Sequence, residues 1–81
     1  MRRSLHDPSY ALIRKHLRSI RRRAGMTQFE LSQKLGYLSH SEVSKIERGD
    51  RFPDILLYIR WCRACDENIV TSIIHLLEEG V

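Results

Sequence analysis

Apolar residues in the first part of the chain recur at the spacing of one helix face. They stand three and four positions apart, at Tyr10, Ile13, Leu17, Ile20 and Ala24. Asp7 followed by Pro8 favours a helix start here, because aspartate caps a first turn and proline fits the first helical position. The pattern predicts helix 1 over about residues 8 to 24.

Two further helix starts share one capping pattern. Thr27 and Glu30 have the spacing of a capping box, and Ser39 and Glu42 repeat it. Glycines at positions 25, 36, 49 and 80 each follow a stretch without helix breakers, as a residue after a helix end often does. We therefore predict a short helix 2 over about residues 28 to 35 and a helix 3 that ends at Arg48.

The C-terminal part predicts two apolar helices. Helix 4 follows Asp54 and carries two stripes, one of Ile55, Tyr58, Ile59, Cys62 and Cys65 and a second of Leu57, Trp61 and Ala64. Helix 5, over about residues 68 to 79, has six aliphatic residues on one broad arc: Ile69, Val70, Ile73, Ile74, Leu76 and Leu77. Its other side is polar and includes Ser72 and His75.

The whole pattern predicts an all-α fold. No segment alternates apolar and polar residues with period two for long, so no sheet is expected. A chain of 81 residues has room for one small core and little room for an enzyme cleft. We predict a single five-helix domain over residues 1–81, with a helix-turn-helix unit over about residues 27 to 48.

Charge is distributed unevenly along the chain. The net charge is +4, but residues 1–25 hold eight basic residues and one acid, residues 26–51 hold four of each, and residues 52–81 hold two basic residues and five acids. The positive end suits a polyanion such as nucleic acid or an anionic membrane, although a solvated helix face has the same composition. A membrane span is not expected, because no apolar stretch approaches about 18 residues.

The sequence offers no chemistry for an enzyme, a metal or a cofactor. Cys62 and Cys65 form a Cys-x-x-Cys pair, but no second pair of ligands is spaced to complete a zinc site. We therefore expect both cysteines to be core residues, and we expect the protein to work in a reducing cytoplasm. His16 and His75 lie on the predicted polar sides of their helices and are expected at the surface. No nucleophile, base and orienting group can be assembled.

Helices 2 and 3 are short and joined by few residues, so they must cross steeply. That geometry leaves the outer face of helix 3 projecting from the domain, and small Ser32 permits close approach at the crossing. Between the buried positions of Val43 and Ile46, the outward residues are polar: His40, Ser41, Glu42, Ser44 and Lys45. Such a helix fits a DNA major groove about 12 Å wide.

These residues resemble a known family. The strings Gln28-Phe29-Glu30-Leu31-Ser32 and Ser44-Lys45-Ile46-Glu47-Arg48-Gly49 are similar to the phage-repressor helix-turn-helix, the Cro/repressor or XRE family. The resemblance implies a five-helix fold that binds operator DNA as a dimer. It implies base contacts by His40, Ser41 and Lys45, and phosphate contacts by Gln28 and Ser44. It also implies that an arginine and a glutamate pair at Arg21 and Glu47.

The sequence departs from that family at two places. Tyr37 and Leu38 make the turn one residue longer than usual, and Phe29 lies where a polar residue is common. Glu42 is expected to cap its own helix, although its carboxylate could also accept from cytosine N4.

The remaining arginines near the unit complete the predicted phosphate contacts. Arg21 is expected to form a partly exposed pair that also faces phosphate, with Arg22, Arg48 and Arg51 as further phosphate residues.

Two functions remain open at this stage. The first is a sequence-specific transcriptional regulator, such as a bacterial or phage-encoded repressor, that binds double-stranded DNA in the cytoplasm and nucleoid as a homodimer. One small core can hardly cover the apolar surface of helices 4 and 5, which predicts a dimer interface of Leu57, Trp61, Val70, Ile74 and Leu77. Within the chain, the start of helix 1 could cover this surface instead. The second function is an antitoxin or adaptor with a heterologous protein partner.

Overall fold

The computed structural model describes residues 7–36 and 41–81, and in these ranges it contains five α-helices and no strand. The helices are α1 (Pro8–Arg23), α2 (Gln28–Lys34), α3 (Ser41–Arg48), α4 (Ile55–Ala64) and α5 (Ile69–Glu79). The all-α, five-helix prediction is confirmed, with helix ends within the usual difference of a residue or two. The predicted longer turn, the Ser39 capping box and His40 lie outside the described residues.

Side-chain caps explain where the helices begin. Thr27 and Glu30 form the predicted capping box, in which the Thr27 Oγ1 accepts from the Glu30 amide at 3.1 Å and the Thr27 amide donates to the Glu30 carboxylate at 2.9 Å. The bond from the Thr27 backbone lowers the pKa of Glu30. Asp7, Asp54 and Asn68 cap α1, α4 and α5 more simply, each by accepting one backbone amide of the first turn with its side-chain oxygen.

The core lies where α1 packs against α3, α4 and α5 and where α2 packs on α3 and α4. Its fully buried members include Leu17, Ile20, Leu31, Val43, Ile46, Trp61 and Cys62. The Trp61 indole donates from Nε1 to the carbonyl of Leu17 at 3.0 Å, which joins α4 to α1. This bond satisfies the one polar atom of the largest buried side chain.

The buried face of α4 differs from the prediction. The structure buries Leu57, Tyr58, Trp61, Cys62 and Cys65, an arc of about 140° at 100° per residue. Both predicted stripes contribute to that arc, while Ile55 is exposed. The prediction that Leu57 and Trp61 lie across a dimer axis is therefore wrong, because the chain's own core covers them.

A polar cluster lies where α1, α4 and α5 meet. His16 Nε2 lies 2.6 Å from the Ser72 Oγ, which also contacts the hydroxyl of Tyr58, and all three residues are buried. The prediction of a surface His16 is wrong, and Ser72 on the predicted polar side of helix 5 is also buried, because each side chain satisfies the other inside the fold. Desolvation lowers the pKa of His16, partly opposed by the nearby carboxylate of Glu79.

Cys62 and Cys65 are buried free thiols, as the interpretation of them as core residues predicts. Burial raises the pKa of both groups, that of Cys65 to about 11. A thiol with a raised pKa is a poor nucleophile and a poor metal ligand. In residues 7–36 and 41–81, no cluster of His, Cys, Asp and Glu could hold a metal ion.

Candidate nucleic-acid interface

The outward face of α3 is polar above a buried apolar side. Val43 and Ile46 are fully buried, whereas Lys45 is exposed and Ser41 and Ser44 are half-buried. Short hydroxyl side chains around one long cation leave room for base edges to approach the helix. His40, the remaining predicted base-contacting residue, lies outside the described residues.

Glu42 is held between two cations on this face. Its carboxylate lies 3.7 Å from the Nζ of Lys45 and contacts the Nη1 of Arg51. The two predicted DNA contacts, Lys45 and Arg51, are thus brought together through an acid. The pairs are only partly buried, so solvent weakens them and an external anion can replace Glu42 at modest cost.

Arg48 and Ser44, two predicted phosphate residues, meet near the end of α3. Arg48 donates from Nη1 to the Ser44 Oγ at 2.9 Å and from Nε to the Asp50 carboxylate at 3.0 Å. Both charged side chains are more than half exposed. The guanidinium is thus oriented along the helix surface and remains accessible to a ligand.

Glu47 is the centre of a buried network. Arg21 donates to its two carboxylate oxygens, from Nε at 2.7 Å and from Nη2 at 3.0 Å, and the Gln28 amide donates at 3.1 Å. The predicted Arg21 and Glu47 pair is therefore present, in bidentate form. It joins α1 and the start of α2 to the end of α3.

The burial of this pair changes two expectations. Glu47 and Arg21 are both buried, so the prediction of a partly exposed pair is wrong. The remaining Arg21 nitrogen, Nη1, donates to the carbonyl of Met26 at 2.8 Å. With every nitrogen of Arg21 turned inward, the structure contradicts a phosphate contact by this residue.

Two arginines of α1 were missed as part of this site. The Arg18 Nε lies 3.4 Å from the Glu47 carboxylate, and the Arg14 guanidinium packs over Gly49, where a Cβ would lie only 2.9 Å from it. The signal was available in the sequence, because positions 14, 18 and 21 share one helix face. These cations lie at the C-terminal end of α3, where the helix dipole favours positive charge.

Arg22 and Phe29 are not drawn into these networks. Arg22 is exposed on the last turn of α1 and makes no ion pair within the described part of the chain. Phe29 is also exposed, on the first turn of α2. Arg22 therefore stays a predicted phosphate contact.

The chain is similar to known proteins in both sequence and fold. A family model described as a helix-turn-helix domain matches residues 13–68, well over half of the chain. The chain belongs to the helix-turn-helix domain family. This helix-turn-helix domain is similar to an XRE-family like protein from Pseudomonas syringae pv. tomato str. DC3000, with 29% identity, a TM-score of 0.83, and coverage of 94% of this chain and 92% of that one.

A second solved structure shares the fold of this helix-turn-helix domain. It is the clp gene regulator ClgR from C. glutamicum, with 22% identity, a TM-score of 0.77, and coverage of 94% of this chain and 97% of that one. No curated protein matches the sequence. The resemblance to the XRE family and the regulator-like fold are confirmed. No helix in the described ranges is long and apolar enough to cross a membrane.

Proposed function

We propose that this helix-turn-helix domain is a transcriptional regulator that binds a specific operator in double-stranded DNA as a symmetric homodimer. The observation that carries the proposal is the polar, cationic face of α3 above its buried apolar side. A bacterial XRE-family relative supports it, as does a neighbour named as a gene regulator. Its action then belongs in the bacterial cytoplasm, on chromosomal or phage DNA.

The proposed contacts divide into two groups. Lys45 and Ser41, with His40, contact base edges in the major groove. Phosphate oxygens are contacted by a larger set, which positions the domain without carrying sequence information: Gln28, Ser44, Arg22, Arg48 and Arg51. Gln28 is supported by its position, because its amide is already oriented by Glu47.

A binding assay with operator and random DNA tests this division. Lys45→Ala should lose about 1–3 kcal/mol on the operator and much less on random DNA, because a good base contact discriminates by that amount. Lys15→Ala removes another exposed cation, from α1, and is the matched control, with little loss on either DNA. Equal losses on both DNAs for Lys45→Ala would contradict a base contact.

The salt dependence tests DNA binding itself. Log affinity should fall against log salt with a slope of about 0.9 per neutralised phosphate. Gln28→Ala should weaken binding to all sequences by a similar factor, since a phosphate contact carries no sequence information. A flat salt response would show that the cationic face does not meet DNA.

The homodimer is proposed to form through α5. Val70, Ile74 and Leu77 are 69%, 49% and 63% exposed, and they lie within about 60° of one another on the helix. Tyr10, at the start of α1, packs edge-to-face on Phe52 and leaves this apolar face open. A two-fold axis there would set two α3 helices about 34 Å apart on neighbouring major grooves.

Sedimentation of the free protein tests the dimer. Ile74→Glu and Leu77→Glu should shift the protein to monomer at tens of micromolar, roughly the range of weak association. Thr71→Glu, an exposed position of α5 outside the apolar face, is the matched control. A wild-type monomer at this concentration would favour the second function, an antitoxin or adaptor, and Ile55 and Leu56 are further exposed apolar residues available to a protein partner.

A further inference from the structure

An open cavity of about 560 Å³ lies between the end of α2 and one side of α4. Its lining residues are Lys34, Leu35, Arg60, Arg63 and Ala64. None of the residues proposed above for base or phosphate contact lines it. Its volume falls in the range of roughly 300–1,000 Å³ that is typical of sites for small molecules.

The cations around this cavity lack acidic partners. Lys34, Arg60 and Arg63 make no ion pair in the described part of the chain, whereas the cations on the α3 face are paired with acids. Arg60 and Arg63 are also the only basic residues among residues 52–81, where acids outnumber them. The positive charge of an otherwise acidic segment is thus concentrated at one cavity.

The two arginines lie on the same side of α4, because residues three apart on a helix are neighbours. Like charges at that spacing repel one another, and no carboxylate of the described residues forms an ion pair with either arginine. An anion placed between them and Lys34 would do so. Guanidinium groups are well suited to this, since their planar donors bind carboxylate or phosphate oxygens in pairs.

The walls of the cavity also offer apolar surface. Leu35 and Ala64 are half-buried. A second cavity of about 250 Å³ shares Leu35 and Arg60 with the first and is also lined by Leu56, Leu57, Arg51 and Asp54. A ligand that fits both features has anionic groups for the three cations and a short apolar portion for the leucines.

We propose that this cavity binds a small organic anion that carries at least two negative charges and a short apolar portion. Carboxylate and phosphate groups meet the requirement equally well, since both accept bidentate hydrogen bonds from arginine. Lys34, Arg60 and Arg63 are not among the residues proposed to contact DNA, so the ligand and the operator need not compete for these three cations. Binding would join the end of α2 to α4.

The test titrates the full chain with hexyl phosphate as the probe and measures binding by the changes in amide chemical shifts. Hexyl phosphate should bind one-to-one, with shifts centred on Leu35 and Ala64, and more tightly than inorganic phosphate, which lacks the apolar portion. Arg60→Gln and Arg63→Gln should each weaken binding about tenfold or more. Lys15→Gln removes an exposed cation of α1 that makes no ion pair with the described residues, and it should leave binding unchanged.

Three results would overturn the proposal. The first is an affinity for hexyl phosphate no higher than that for inorganic phosphate, and the second is an equal loss in Lys15→Gln, which would indicate charge attraction without a site. The third concerns DNA: the triple variant Lys34→Gln, Arg60→Gln, Arg63→Gln should retain the wild-type salt slope. A slope reduced by about 0.9 per residue would show that these cations neutralise DNA phosphates instead.

Discussion

Removing the Glu47 carboxylate should destabilise the domain far more than removing a surface acid. In the native structure the carboxylate accepts from Arg21 at 2.7 and 3.0 Å and from Gln28 at 3.1 Å, and Glu47 is buried. Glu47→Ala leaves the Arg21 guanidinium buried without a counter-charge. Breaking a buried pair in this way costs about 3–5 kcal/mol, against roughly 0–1 kcal/mol for an exposed pair.

Thermal and urea unfolding followed by circular dichroism measure the loss. At about 4–8 °C per kcal/mol for a domain of this size, Glu47→Ala should lower the Tm by at least about 12 °C. The matched control is Glu67→Ala, because Glu67 pairs with Arg23 at 3.0 Å near the surface. Its loss should stay below about 1 kcal/mol.

A double variant separates charge burial from loss of packing. Arg21→Met with Glu47→Leu removes both charges and fills the same space, so it should lose less than half as much stability as Glu47→Ala, since apolar replacements of buried pairs are often neutral. The reasoning is refuted if Glu47→Ala costs no more than Glu67→Ala, or if the double variant is as unstable as Glu47→Ala.

Three further predictions follow from other contacts. Because the pKa of His16 is lowered below 6.5, its contribution to the free energy of unfolding should be fully present above about pH 6.5 and be lost as the pH falls through the folded pKa. In a pH series of urea titrations, His16→Gln should flatten this part of the stability curve. Gly49→Ala should cost about 1–3 kcal/mol in thermal unfolding, since its φ is +87° and the new Cβ meets Arg14; no loss would contradict that packing. Thr27→Ala should cost about 1 kcal/mol through loss of the capping box, whereas Thr71→Ala should cost much less, because Asn68 caps the backbone amide of Thr71 and the substitution leaves that amide in place.

Local sequence patterns were sufficient to predict most of the fold. Caps such as Thr27 with Glu30 and the spacing of the α1 apolar residues are contained within a few neighbouring positions, so the sequence was sufficient to locate the helices. The buried side of α4 was different. Nearly every position of that helix is apolar, so periodicity could not choose between the stripe of Ile55 and the stripe of Trp61, and only packing against α1 decides it.

The sequence was sufficient to predict several residues of the candidate site, but not how deeply each side chain is buried. The family resemblance implied the pairing of Arg21 with Glu47, yet the pairing alone does not say whether water reaches it. Burial there depends on how the turn after α1 and the start of α2 fold back, which brings Met26 and Gln28 onto the pair. The same holds for His16, whose partner Ser72 lies 56 positions away.

The indole bond between α4 and α1 gives the protein a built-in fluorescent reporter. Trp61 is the only tryptophan in the sequence, and its ring is shielded from water while its N–H donates to the Leu17 carbonyl. Its emission in the native protein should lie well to the blue of that of a hydrated indole and shift to the red when α1 separates from α4. Unfolding can therefore be followed without a label, from a position on the helix that carries the cavity arginines.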